Sequence, residues 1–258
     1  MTDPSQGGWR RLALASLLLL GACAGTPDGD APDSAPQAVS PLAANPWTAE
    51  APWKGGVALW QHQTFPGKQP SRYRYDRKDG RDAMQVSADA SASALRHRVR
   101  IPAAELGRIR FSWRVPELIA GADMALRDAE DAPVRLVLVF DGDRSRFSAR
   151  NAMLSELSQS LTGEPLPYAT LMYVWCNTRS PDSVIVNPRT DRIRKIVVES
   201  GAGNLDRWLD YQRDVAADYR KAFGEPPGDL LAVGIMTDTD NTRSRVQAWY
   251  GPIRLIGR

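Results

Sequence analysis

The sequence is poor in the side chains that most often carry catalysis and metal binding. Its 258 residues include two histidines, His62 and His97, and two cysteines, Cys23 and Cys176. It contains no nucleophile elbow, no pair of histidines at metal-binding spacing and no glycine-rich phosphate loop. These absences argue against a serine hydrolase, a zinc enzyme and a nucleotide-binding protein.

An excess of charge of one sign is also missing. The 33 lysines and arginines nearly balance the 30 aspartates and glutamates, for a formal net charge of +3. Proteins that bind nucleic acid or anionic membrane surfaces need a concentrated positive patch. The composition therefore predicts no nucleic-acid partner and no polybasic contact with a membrane.

The apolar run near the N-terminus is too short to cross a bilayer. It covers residues 12–20, whereas a membrane-spanning helix takes about 20 residues. Arg10 and Arg11 precede it, and small residues follow it. A basic start, a short apolar run and small residues before the cleavage site are typical of a secretory signal.

The end of this run, Leu20-Gly21-Ala22-Cys23, resembles a bacterial lipobox. We predict a lipoprotein signal peptide over residues 1–22 and lipidation of Cys23, which anchors the protein to a membrane. Ala24 then favours the periplasmic face of the outer membrane. The alternative is an ordinary secretion signal with a chance cysteine near its cleavage site. With Cys23 lipidated, only Cys176 remains and no intramolecular disulfide can form.

The next segment has the composition of a tether. Residues 24–46 lack aromatic side chains and are rich in proline and alanine. From Trp47 onward the composition is that of a folded protein. We predict a lipid anchor and disordered tether over residues 23–46 and a single domain over residues 47–258.

Short runs of β-branched and aromatic residues dominate the domain. Some alternate with polar residues in a period of two, and turn-forming residues bound them. The first two runs place arginines on one face of a sheet. The predicted strands cover residues 95–101, 109–115, 134–140, 171–176, 193–198, 230–236 and 246–256.

Two helices interrupt these strands. The first covers residues 151–161, with leucines 154, 157 and 161 on one stripe. The second covers residues 205–223, with Asn204 as its N-cap and Gly224 after its last turn. Strands and helices do not alternate regularly, so we predict a mostly β fold: an antiparallel two-sheet sandwich of jelly-roll type with two inserted helices.

Paired carboxylates are the remaining route to catalysis. Glycosidases need two carboxylates roughly 5 to 10 Å apart. Asp141 and Asp143 directly follow the run 134–140 and are the best-placed pair. Aspartates in such a position more often cap a turn, which is the favoured interpretation.

Asp238, Asp240 and Asn241 lie in a polar connection between two predicted strands. Their oxygen atoms are ligands that calcium accepts, but the segment lacks EF-hand spacing and would need carboxylates from elsewhere. Turn capping is the favoured role, and calcium is the one cofactor that the sequence suggests.

Aromatic residues in or beside the strands offer a route to carbohydrate binding. Exposed rings stack on sugar faces, while neighbouring polar side chains bond the hydroxyls. Trp175 and Trp249 are the candidate stacking rings, with Arg114 and Asn177 as polar neighbours. Trp249 and Tyr250 point to opposite faces of a strand, so we expect one of them to be accessible.

Seven segments of the domain carry a resemblance to a known family: Phe111-Ser112-Trp113-Arg114-Val115, Asp131-Ala132-Pro133-Val134-Arg135, residues 167–175, Val198-Glu199-Ser200-Gly201, residues 213–220, residues 234–242 and Ala248-Trp249-Tyr250-Gly251. Together they resemble the bacterial family known as domain of unknown function 3047, from about Trp47 to the C-terminus. This resemblance implies kinship without implying a reaction. The terminal strand pair is similar to that of galactose-binding-like carbohydrate modules.

Three classes of function fit the sequence. We favour a lipid-anchored, non-catalytic module that binds a glycan. The alternatives are an envelope polysaccharide hydrolase or lyase that uses two carboxylates, and a structural envelope protein. A groove with aromatic side chains and two facing carboxylates would favour catalysis, and such a groove without the carboxylates would favour binding.

Overall fold

The computed structural model describes residues 60–257. The signal peptide, Cys23 and the tether lie outside this range and stay predictions. Within it the chain forms thirteen strands and two α-helices. The strands are β1 (Gln61–Thr64), β2 (Arg72–Lys78), β3 (Arg81–Asp89), β4 (Ala92–Ile101), β5 (Arg108–Arg114), β6 (Ala132–Phe140), β7 (Ala169–Cys176), β8 (Val184–Val186), β9 (Ile193–Ser200), β10 (Trp208–Asp214), β11 (Leu230–Asp238), β12 (Arg245–Tyr250) and β13 (Arg254–Ile256). The helices are α1 (Ala149–Thr162) and α2 (Val215–Phe223).

The strands form two sheets. One has seven strands in the order β1-β4-β11-β6-β7-β9-β8, and the other has β10-β5-β12-β3-β2 with β13 beside β5. Every pair is antiparallel except β7 with β9, which are parallel and joined through β8. The fold is therefore the mostly β sandwich of jelly-roll type that the sequence predicts.

The main core lies between the two sheets. Alternate residues of each strand face it, because successive side chains of a strand point to opposite faces. Trp113 and Phe111 of β5 meet Tyr173 of β7, and the rings of Phe111 and Tyr173 stack at 5.5 Å. Trp175 belongs to the same core and is fully buried.

The predicted helix over residues 205–223 is wrong in its first half. Residues 208–214 form strand β10, which pairs with β5 along its whole length and packs Tyr211 on Phe111. The helix begins after Asp214, whose carboxylate accepts a hydrogen bond from Ala217 N, so Asp214 and not Asn204 is the N-cap. It ends at Gly224 as predicted, with φ 72°.

Helix α1 and the last strand also differ in their limits from the prediction. Helix α1 extends beyond residues 151–161 to Ala149–Thr162, with Ser148 as its N-cap. The run 246–256 is divided into β12 and β13. Between them the backbone of Gly251 passes so close to Ser112 that a side chain at this position would collide with Ser112 Oγ. Strands β1, β2, β3 and β8 are additional to those predicted. In residues 60–257, neither helix has the length and apolar character needed to cross a bilayer.

Candidate functional site

The outer face of the seven-stranded sheet carries side chains that are not part of the main core. Strand register places Arg96, Gly234, Val137 and Met172 in one row across β4, β11, β6 and β7. The neighbouring row holds Ala94, Met236, Arg135 and Val174 in the same strand order. These two rows are therefore largely apolar, with Arg96 and Arg135 as their charged groups.

Helix α1 crosses this face from β9 towards β4. At its first turn, Asn151 donates to Asp191 Oδ1 at 2.6 Å and accepts from Thr190 Oγ1 at 2.8 Å, both before β9. Beyond its C-terminus, Glu164 accepts two hydrogen bonds from Arg96 of β4, at 2.8 and 3.1 Å. The helix is thus held at both ends above the strands.

A groove of about 710 Å³ lies between α1 and the loops at the opposite end of the strands. This volume is within the range of small-molecule binding sites. One wall is aliphatic and comes from α1: Leu154, Leu157 and Leu161. The other wall is polar and includes Phe65 as its one aromatic ring: Phe65, Lys68, Glu130, Asn187, Arg189, Asp238, Asp240 and Asn241.

The polar wall is built on a buried ionic network. Glu130 lies 2.7 Å from Lys195 Nζ and 2.6 Å from Arg189 Nη1, and Arg135 Nη2 lies 2.9 Å from Asp238 Oδ2. Lys195 is fully buried, and Arg135 is 2% exposed. Asp240 pairs with Lys68 nearer the surface. Charges this far from water are stable only when they are paired, so the network is tightly positioned.

Burial shifts the pKa values in this network. It raises the pKa of the Asp238 carboxyl to about 6, against the opposing effect of Arg135. It also lowers the pKa of the Lys195 ammonium to about 8. Perturbed pKa values next to a groove are a common feature of functional sites.

Two polar atoms of this network have no hydrogen-bond partner within the described residues. They are Arg135 Nε and Asp238 Oδ1, a donor and an acceptor. Both side chains line the groove. Leaving a buried polar group unpaired costs about 1 to 3 kcal/mol, and both atoms are closed off from solvent, so they are an energetic cost of the network and not contact points for a ligand.

Asp131 connects the candidate calcium residues to the fold. Its carboxylate accepts four hydrogen bonds from the loop after β11: from the backbone and side-chain nitrogens of Asn241 and from N and Oγ1 of Thr242, at 2.6 to 3.2 Å. Oxygen atoms of Asp131, Asp238 and Asp240 lie within 4.8 Å of one another. Arg135 and Lys68 already neutralise two of these carboxylates. The arrangement favours a loop-capping role, and calcium binding stays a prediction.

Asp141 and Asp143 lie at a turn outside the groove. Asp141 accepts a bond from Gly142 N at 2.9 Å, and Asp143 accepts from N and Oγ of Ser145. The two bonds from Ser145 lower the pKa of Asp143. This is the turn-capping role, so the structure does not support this pair as a catalytic dyad.

The side chains of Trp175 and Asn177 make contacts inside the fold. Trp175 has no exposed surface, and its Nε1 donates to the carbonyl of Gly201 at 3.0 Å. Asn177 donates to the carbonyls of Ile119 and Ala122. A ring without exposed surface cannot stack on a ligand, so the prediction for Trp175 is wrong, and Asn177 anchors a loop.

Trp249 and Arg114 lie on the outer face of the other sheet and not in the groove. Trp249 is 7% exposed, its Nε1 donates to Asp76 at 2.7 Å, and Lys78 Nζ lies 4.9 Å above its ring. Arg114, its neighbour on β5, bonds Asp206 and Asp79. Tyr250 is 2% exposed, so the expectation that one of this pair is accessible is also wrong.

The sequence carried a signal for the residues that the prediction missed. Arg135 interrupts the apolar run 134–140, and Lys195 interrupts the run 193–198. A charge inside a buried strand indicates a partner, because an unpaired buried charge is costly. The partner of each lies on another segment, Asp238 for Arg135 and Glu130 for Lys195, so only the fold reveals the pairing.

A family model described as "Protein of unknown function (DUF3047)" matches residues 58–254. The chain belongs to this family. The match covers strands β1 to β12, both helices and the groove, and it ends at Arg254, the first residue of β13. A comparison of this chain with curated proteins gave no match.

Three solved structures illustrate the similarity at the level of the chain trace. A family 11 carbohydrate-binding module from Clostridium thermocellum, in complex with a mixed-linked tetrasaccharide, is 11% identical over 78% of this chain and 91% of that one, with a TM-score of 0.38. The xyloglucanase domain of NopAA from Sinorhizobium fredii, with cellobiose, is 8% identical over 77% and 93%, with a TM-score of 0.41. The xylan-binding module CBM86 from Roseburia intestinalis is 11% identical over 79% and 97%, with a TM-score of 0.30.

Proposed function

We propose that this protein is a non-catalytic glycan-binding module and that the ligand lies in the groove under α1. The observation that carries the proposal is the make-up of the groove, in which the aliphatic side chains of α1 and the ring of Phe65 accompany charged side chains that ion pairs hold in place. A sugar has hydroxyl groups that both donate and accept hydrogen bonds, so one ring can bond both the cationic and the anionic side chains of the polar wall. Its apolar C–H face then contacts the aliphatic side chains of α1 or the ring of Phe65.

The charges in the groove favour binding over hydrolysis. Its lining carboxylates are Glu130, Glu164, Asp238 and Asp240, and each has a cationic partner. Hydrolysis needs one carboxyl group as a proton donor and a second carboxylate across the scissile bond. Asp238 has the raised pKa of a proton donor, but its Oδ1 has no accessible surface and its Oδ2 pairs with Arg135, so it is not placed to protonate a ligand. Carboxylates held in ion pairs are better placed to orient hydroxyl groups.

We further propose that Cys23 anchors the protein to the outer membrane, with the tether of residues 23–46 holding the domain above the lipid. Several acyl chains give stable anchoring, because each buried methylene contributes about 0.8 kcal/mol. A module held in this way would keep glycans of the cell envelope close to the membrane.

Binding is tested by screening the full-length protein on a glycan array and measuring the best-bound oligosaccharide by titration calorimetry. Leu157 is 52% exposed and lines the groove, so Leu157→Lys should weaken binding at least about tenfold with little loss of stability. Met153 is 60% exposed on the same helix and does not line the groove, so Met153→Lys is the matched control.

The two variants separate the outcomes. If no glycan binds, the proposed function is wrong. If a glycan binds and both variants bind it as the wild type does, the groove is not the site.

A further inference from the structure

We infer that the glycan is acidic and that its carboxylate, sulfate or phosphate group binds to a row of arginines beside the groove. This inference rests on the proposed function and adds the chemical class of the ligand. The row consists of Arg96, Arg98 and Arg100 of β4, together with Arg144. These four residues are called the arginine row below.

The arginine row follows from the period of the strand. Leu95 and Val99 of β4 face the main core, so the arginines between and after them point to the outer face. Residues two apart on one strand are separated by about 7 Å, which spreads three guanidinium groups along the sheet. Arg98 and Arg100 have 61% and 48% of their side-chain surface exposed.

The arginine row lines a second cavity, of about 370 Å³, which continues from the groove. Both cavities share Arg96, Val139, Glu164, Pro165 and Pro167 as lining residues. A ligand that lies in the groove under α1 can therefore extend into the arginine row without leaving the surface of the sheet.

The two cavities differ in charge. The groove has four cationic and four anionic lining residues, so its formal charge is zero. The second cavity has four arginines and only Glu164 as an anion, a formal charge of +3. Even with Asp229, which lies 3.5 Å from Arg100, the charge stays at +2. Neutral hydroxyls suit the groove, and an anion suits the arginine row.

Glu164 already binds two of the arginines that a ligand anion would bind, so the two anions would compete. It accepts two hydrogen bonds from Arg96 and one from Arg98, and the bonds from Arg96 lower its pKa. Arg98 and Arg100 are largely exposed, so N–H groups of their guanidinium groups remain open to a ligand. Arginine binds planar oxyanions through two parallel bonds, so the row still has donors for a second anion.

The test uses acidic oligosaccharides, each with a matched neutral form. Full-length protein is titrated with oligogalacturonate and its methyl ester, and with sulfated and unsulfated cello-oligosaccharide of equal length. We expect at least one acidic member to bind about tenfold more tightly than its neutral form, with the advantage decreasing as salt is added. The pair that shows the advantage distinguishes a carboxylate from a sulfate.

Three variants connect this preference to the arginine row. Arg98→Gln should remove most of the acidic advantage, and Glu164→Gln should increase it, because a competing carboxylate is lost. Arg245→Gln is the control, since Arg245 is 78% exposed in an ion pair with Asp89 on the other sheet and should leave binding unchanged.

The results distinguish the two proposals. If neutral and acidic forms bind equally, the inference about acidity is wrong and the glycan-binding function stands. If Arg245→Gln weakens binding as much as Arg98→Gln does, acidic saccharides are attracted to positive charge anywhere on the surface, and the arginine row is not a site. If none of these saccharides and no glycan on the array binds, both proposals are wrong.

Discussion

Asp131 is the residue through which the loop after β11 is connected to the rest of the sandwich. It is 1% exposed and accepts four hydrogen bonds from Asn241 and Thr242. Asp131→Asn keeps the volume and removes the charge, so we expect it to lower the free energy of unfolding by about 1 to 3 kcal/mol. The melting temperature should fall by several degrees, because 1 kcal/mol corresponds to roughly 2 to 4 °C at this size.

Asp240→Asn is the matched variant, since Asp240 pairs with Lys68 at the surface and such pairs contribute at most about 1 kcal/mol. Thermal melts with and without calcium complete the experiment. A loop-capping role predicts no effect of calcium on any of the three proteins. A melting temperature that rises with calcium in the wild type but not in Asp131→Asn would establish a metal site instead.

Asp238 should give the stability a distinctive dependence on pH. Its pKa is raised from 3.8 to about 6 by burial, so between about pH 4 and pH 6 the folded protein holds a proton that the unfolded chain has lost. The contribution of Asp238 to stability therefore decreases as pH rises through this window, by an amount on the order of 3 kcal/mol. Asp238→Asn cannot titrate and should lack this decrease.

Urea denaturation of both proteins from pH 4 to pH 7 measures the difference. The free energies of unfolding of the wild type and the variant should diverge progressively up to about pH 6. Above that pH the two curves should run in parallel. Parallel curves over the whole range would show that Asp238 titrates at its ordinary pKa.

At the scale of elements, the segment from Trp208 to Phe223 shows what limits prediction from sequence. Trp208, Tyr211, Val215, Tyr219 and Ala222 recur at helical spacing, so a single helix fits the pattern. Leu209 and Tyr211 recur at strand spacing, and both pack on the core once β10 pairs with β5. Local periodicity supports both structures, and the pairing with a distant strand decides between them.

The boundary between β10 and α2 can be tested through its cap. Asp214→Ala removes the bond to Ala217 N and should cost about 1 kcal/mol of stability. Asn204→Ala, at the cap that the sequence predicted, should stay within about 0.5 kcal/mol of the wild type. Chemical denaturation of both variants measures these values, and the reverse order would place the helix start at residue 205.

The class of fold, the leucine stripe of α1 and eight of the thirteen strands were within reach of the sequence, because each depends on a local period. The groove was not, because it forms only where α1 crosses strands that are distant in the chain. The aromatic residues show the same limit. Trp175 was predicted as a stacking ring, but it shares a strand face with Tyr173, and burial by the opposite sheet makes that face the core.

At the scale of the whole molecule, the proposed membrane attachment depends on one atom, the sulfur of Cys23. Cys23→Ser should abolish acylation, because the hydroxyl does not replace the thiol in the lipidation reaction of a lipobox. The variant should lack label when cells are grown with labelled fatty acid, and it should be released or stay unprocessed. Label on the variant would contradict the lipoprotein interpretation.

The central pairing of the seven-stranded sheet joins distant parts of the chain: Ser93 of β4 lies opposite Thr237 of β11. Strand β11 lies between β4 and β6 in the sheet. Each of these two strands therefore lacks one of its neighbours until β11, in the last quarter of the chain, has been made. Pairings between strands that lie this far apart in the sequence slow folding, because the chain loses loop-closure entropy before the new contacts compensate for it. The seven-stranded sheet is therefore expected to assemble late in folding, once β11 is available to join its two sides.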